Sequence, residues 1–230
     1  MVGTLYNAAT VLMGASAGIW LGKFIPPATK DVVFQSLGLF TLGLGFMMGM
    51  EMNDPFAIFL ALVLGAIAGQ QLRIQERVER ATSRWGQGLG AAMIQAIMLF
   101  CVGAMTLIGC MQDGLHGDPT VLFIKGTMDL VSAAFLAAAL GRGVLWAAPA
   151  VLLIQGSMTW GFQWWGQGWS EALVADLTGL GGLLLLALGL DLLRIKSFSL
   201  LNFMPAFLLV PLTQSVASWV SDQLPQLIVF

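Results

Sequence analysis

The sequence predicts an all-α membrane protein of about eight transmembrane helices. Three observations carry that expectation: the composition, the lengths of the apolar runs, and the placement of basic residues between them. Of 230 residues, 58% are hydrophobic and only 10% charged, with a mean hydropathy of +0.86. That balance belongs to polytopic membrane proteins rather than to soluble domains.

A helix needs about 20 mostly apolar residues to cross the hydrocarbon core. Eight runs meet or approach that length: 4–22, 33–50, 55–72, 89–111, 121–141, 143–164, 176–193 and 200–220. Lys and Arg then test the segmentation, since they gather on the cytoplasmic side. Lys23 and Lys30 fall in the first connection, Arg73, Arg77, Arg80 and Arg84 in the third, Arg142 in the fifth, and Arg194 and Lys196 in the seventh. The even connections and both termini contain none, and Lys125 inside the fifth run is the single exception. The expectation is a multi-pass protein of the inner membrane with both termini extracytoplasmic.

The first run lacks a basic n-region, so it reads as a retained helix rather than a cleaved signal, and its GASAG (14–18) suits close helix packing. The third run carries a similar GAIAG (65–69) and leads into RIQERVERATSRW (73–85). Alternating charge there fits a solvated connector or a short amphipathic helix at the surface. In the fourth run, Cys101 and Cys110 would lie roughly 13 Å apart along a helix, beyond disulfide reach. Asp118-Pro119 opens the fifth run, with Asp118 expected as N-cap and Pro119 as the first helical residue. The sixth run ends in WGFQWWGQGW (160–169), whose Trp rings suit the outer interface, while Trp20, Trp85 and Trp146 fall near the inner one.

The second and seventh runs resemble each other at an offset of 144, with Gly38 meeting Gly182 and Gly45 meeting Gly189. Helices 1–3 then correspond to helices 6–8, and an offset of five helices inverts the second half. The chain is expected to be one transmembrane domain over 1–230, with repeat halves 1–72 and 143–220 joined by helices 4 and 5. Inverted repeats recur in secondary transporters, where short, Gly-interrupted helices mark the binding site. Gly43, Gly45 and Gly189 therefore become candidates, under two open readings. Helices 2 and 7 are short and broken at the midplane, or their glycines let helices pack closely.

No HExxH, CxxC or P-loop is present, and GASAG around Ser16 matches a nucleophile pattern without a base in reach. No enzymatic activity, cofactor or metal is expected, and a net charge of −2 with scattered basic residues argues against nucleic acid. Ionisable groups within spans are costly and are functional candidates by default. Asp191 has Arg194 as a nearby partner. Lys125 sits in the second turn of its helix, where the dipole disfavours a cation, and precedes Asp129 at i,i+4, the weaker orientation. Two readings stay open for it: a further acidic partner, with Asp113 nearest in sequence, or snorkelling to the outer surface. His116 is expected to be exposed.

CVGAM (101–105), Gly109, QDGL (112–115), Gly117-Asp118, Lys125 and Asp129, together with Asn7 and the paired glycine-rich helices, resemble the YqgA/YdfK-type family of bacterial multi-pass membrane proteins. The resemblance covers essentially the whole chain and adds weight to Gln112, Asp113, Gly114, Asp118, Lys125 and Asp129. It implies a membrane protein without naming an activity. The expected function is a small secondary transporter or ion-conducting protein for a small solute or ion. The competing class is a non-transporting scaffold or partner-binding subunit. A protomer this small encloses little pathway, so contact with the bilayer and assembly into at least a homodimer are expected.

Overall fold

The computed structural model describes residues 1–83, 88–102, 104–165 and 169–227. Arg84, Trp85, Gly103 and Gly166–Gly168, which carry parts of the sequence reading, lie outside the described residues, as do the side chains of Lys30 and Trp165. Among the described residues the chain is helical throughout, without strands. The helices are α1 (Val2–Leu21), α2 (Pro27–Gly49), α3 (Pro55–Leu72), α4 (Ile74–Ser83), α5 (Leu89–Cys101), α6 (Ala104–Leu115), α7 (Thr120–Leu140), α8 (Ala147–Trp165), α9 (Glu171–Leu192) and α10 (Pro205–Leu227). Short 3₁₀ turns, Gly141–Trp146 and Leu200–Phe203, lead into α8 and α10.

Each apolar run of the sequence finds a helix, and the charged connector is itself helical, as α4. Among the described residues, five helical stretches are long and apolar enough to cross a membrane, or up to six if the bent α5–α6 pair counts as one. One of the five, Thr120–Trp164, holds both α7 and α8.

Local chemistry sets the helix starts. Pro27 and Pro55 occupy first-turn positions, where a missing N–H costs nothing. Asp54 caps α3 by accepting from the N–H groups of Phe56 and Ala57, both at 3.0 Å. Asp54→Ala is expected to destabilise the protein by about 1 kcal/mol, read as a lowered unfolding temperature in detergent; an unchanged temperature would rule the cap out as a contributor. Ser170 caps α9 through Leu173 N–H at 3.1 Å.

The helices pack in pairs, most extensively α1 with α7, α2 with α9 and α3 with α10, and α1 also meets α8. Small residues permit the close approaches, as lipid-embedded packing requires. A Cβ added to Gly14 or Gly18 of α1 would stand 2.1 Å from the Leu130 carbonyl oxygen or 2.0 Å from that of Ala134, both on α7. At Gly69 of α3 it would meet the Asn202 carbonyl oxygen at 1.9 Å. GASAG and GAIAG are thus packing surfaces, and the Ser16 hydroxyl donates to the Leu12 carbonyl within its own helix.

One expectation needs correction, and one open reading is decided. Helices 2 and 7 of the sequence reading are neither short nor broken: α2 runs 23 residues and α9 runs 22, both continuous. Their glycines serve the contact between them. A Cβ on Gly45 would lie 2.8 Å from the Gly182 carbonyl oxygen, and one on Gly189 would lie 2.7 Å from Leu42 Cγ. Gly43 faces outward, with nothing within 4 Å of its Cβ position. The break falls instead in the fourth run, where α5 ends with Val102 in an extended conformation (φ −100°, ψ 103°) and α5 and α6 meet at a bend of 59°.

Candidate functional site

Helix α7 carries Lys125 and Asp129 one turn apart, hence on one face. Both are buried, 6% and 8% exposed, and the Lys125 ammonium donates to Asp129 Oδ2. Burying either charge alone would be prohibitive; the pair persists because each neutralises the other. Lys125 therefore does not snorkel, and its partner is Asp129. Asp113 is not that partner: its carboxylate, on the face of α6 turned toward α1, takes the Met1 amino group at 2.7 Å.

Around the pair, α1, α6 and α8 contribute a buried polar layer. Residues 4, 7 and 10 of α1 recur at helical spacing and form one polar stripe facing inward. Asn7 donates through Nδ2 to Gln155 Oε1 at 3.0 Å, Thr4 and Thr159 share a hydroxyl contact of 3.2 Å, and Cys110 Sγ reaches the Gln155 carbonyl at 3.6 Å. Asn7 also lies beside the Asp129 carboxylate. Its Oδ1, and Gln155 Nε2, are buried with no hydrogen-bond partner among the described residues. Buried polar atoms are rarely left so.

On its other side the ion pair faces a cavity of about 220 Å³ between α2, the α5–α6 junction, α7 and α9. Its wall is mostly apolar, Val102 and Met105 bring the two sides of the helix break to it, and Glu51 and Ser132 are its remaining polar side chains.

The other sequence candidates are placed elsewhere. Asp191 accepts from Gln95 Nε2 at 2.9 Å, and Arg194 pairs with Asp31 at 3.7 Å on the surface. Gln112 serves the turn after α6, its carbonyl accepting the N–H groups of His116 and Asp118. His116 is exposed. Asp118 stands one residue earlier than expected, since α7 starts at Thr120 with Pro119 as N-cap. It still caps in substance: Oδ1 accepts the Thr120 N–H at 3.0 Å and hydroxyl at 2.6 Å, and these bonds hold the carboxyl below its ordinary pKa. Asp113, His116 and Asp118 form no metal site, and among the described residues no group of three His, Cys, Asp or Glu could hold one.

Sequence reasoning missed two features. Asp176, fully buried in α9, accepts from the N–H groups of Asn53 and Asp54 at 2.8 Å each and from Gln214 Nε2, tying α9 to the α2–α3 turn and α10. In the sequence it marks only the start of the seventh apolar run, within ADLTGLGG (175–182). The second is the helix break, since α5 ends at Cys101 and α6 begins at Ala104, both within the run quoted for the family resemblance.

The comparisons with known proteins cover nearly the whole chain. The profile of DUF554, described as a protein of unknown function, matches residues 2–215. The chain belongs to the DUF554 family. Relatives include the uncharacterized membrane protein YdfK of Bacillus subtilis (strain 168), 29% identical over 216 residues, covering 92% of this chain and 94% of YdfK. The uncharacterized protein YqgA of Escherichia coli (strain K12) is 30% identical over 233 residues, covering 95% of this chain and 99% of YqgA. No solved structure matches. The expected YqgA/YdfK-type resemblance is thereby shown, and with it the standing of this DUF554 chain as a membrane protein.

Proposed function

We propose that this DUF554 protein is a small secondary transporter or ion-conducting protein whose pathway passes the Lys125–Asp129 pair. The observation that carries the reading is the break between α5 and α6 beside a buried ion pair and a cavity. Interrupted helices at a membrane-buried polar site are a recurring device for alternating access. A purely structural role would leave the charges, the break and the cavity without a common reason.

The reading includes eight crossings in the inner membrane with both termini outside, and assembly as a homodimer. It also retains the inverted repeat. At an offset of 144, α1 corresponds to α8, α2 to α9 and α3 to α10, and each of these pairs is in contact. Gly45 lies against Gly182 and Gly38 against Gly189, contacts that exchange under the same correspondence. A two-fold axis in the membrane plane would produce this pattern.

The test uses Ser132, on the cavity wall. In a background with Cys101→Ala and Cys110→Ala, Ser132→Cys is expected to react with a membrane-impermeant maleimide from either side of sealed vesicles. His116→Cys should react from outside only. Labelling of position 132 from a single side, or from neither, would favour the scaffold class and remove alternating access.

A further inference from the structure

The cavity's charge and wall chemistry narrow what it could hold, given that the transporter reading stands. Its lining carries one cation, Lys125, against two carboxylates, Asp129 and Glu51, a formal balance of −1. Lys125 is already committed to Asp129, which leaves the exposed Glu51 at the rim as the uncompensated charge. An anion entering such a space meets net repulsion.

A divalent metal ion is disfavoured for a different reason. Calcium takes six to eight oxygen ligands and magnesium a near-octahedral set, whereas among the described residues only Asp129, Glu51 and Ser132 offer side-chain oxygens here. The rest of the wall is Phe40, four methionines (Met47, Met48, Met105 and Met128) and aliphatic residues. Unbranched thioether side chains adapt to irregular apolar shapes. An aromatic face attracts an alkylated ammonium.

We propose that the cavity binds a small organic monovalent cation, an ammonium carrying an apolar body, with its charge toward Glu51 and its carbon groups against Phe40 and the methionines. The volume of about 220 Å³ suits a compact solute, below the 300–1,000 Å³ range of drug-sized pockets.

The probe is tetraethylammonium, whose charge does not depend on pH. Binding to the full-length protein in phosphatidylglycerol nanodiscs is measured by calorimetry, with ethanesulfonate as an anion of similar size. Saturable binding of tetraethylammonium and none of ethanesulfonate is expected. Glu51→Gln should weaken binding by about tenfold, while Glu171→Gln, outside the cavity, should leave it unchanged. Equal binding by Glu51→Gln and the parent, or preference for the sulfonate, would overturn the proposal. Loss of tetraethylammonium binding when phosphatidylethanolamine is added would assign the cavity to lipid headgroups and overturn it as a solute site. Two-sided labelling at position 132 does not depend on this probe, so a wrong ligand class and a wrong transporter reading give different results.

Discussion

Asp129→Ala is expected to destabilise the protein by about 3–5 kcal/mol, the scale for removing one partner of a buried ion pair. The variant strands the Lys125 ammonium at 6% exposure with no counter-ion, so the chain must deprotonate it, hydrate it or shift α7, and each response has a cost. Lys125→Ala strands the carboxylate in the same way, with Asn7 as its remaining polar neighbour. The double variant Lys125→Met, Asp129→Leu removes both charges and should recover most of the lost stability, because neutral replacement of a buried pair is often harmless. Unfolding temperatures in detergent read the stability. Two-sided reactivity of Ser132→Cys, introduced into the double variant, reads access. A stable double variant that reacts from one side only would give the pair a role in the conformational cycle beyond holding helices together. Single variants as stable as the parent would mean that the pair is hydrated and unstrained.

That Lys125 and Asp129 lie one turn apart inside an apolar helix was legible in the sequence; how their surroundings satisfy them was not. Their i,i+4 spacing and place within an apolar run follow from counting alone, and so does the exposure of His116. The partner of Asp113 depends on which face of α6 meets α1, and one-dimensional hydropathy carries no information about rotation around a helix axis. Whether the glycine-rich helices are broken was left open for a related reason. Glycine can serve a kink or a close contact, and the two are indistinguishable until the neighbour is known. Gly38 and Gly45 of α2 lie against Gly189 and Gly182 of α9, and both helices run unbroken. Asp176 escaped notice because its three donors come from the α2–α3 turn and α10, far away in sequence. Helix existence is local and was read well; the polar network is tertiary and was read in part.

Among the glycines, a paired substitution separates contact from conformation. Gly14→Ala places a methyl group where the Leu130 carbonyl oxygen of α7 would be 2.1 Å away, with Ala133 Cβ at 3.1 Å. A backbone carbonyl cannot rotate aside as a side-chain end can, so α1 and α7 must separate, and overpacking of this kind costs about 1–3 kcal/mol or more. Separation would also loosen the Tyr6–Thr127 hydroxyl contact of 3.2 Å and draw Asn7 away from Asp129. Gly43→Ala makes the same chemical change on α2 with nothing within 4 Å. There the higher helix propensity of alanine acts alone and is expected to stabilise by up to about 1 kcal/mol. The two variants should therefore move the unfolding temperature in opposite directions, although each adds one methyl group to a helical glycine. Equal shifts would mean that α1 and α7 are not in backbone contact in the membrane, and the geometry around Asp129 would have to be rebuilt from that point.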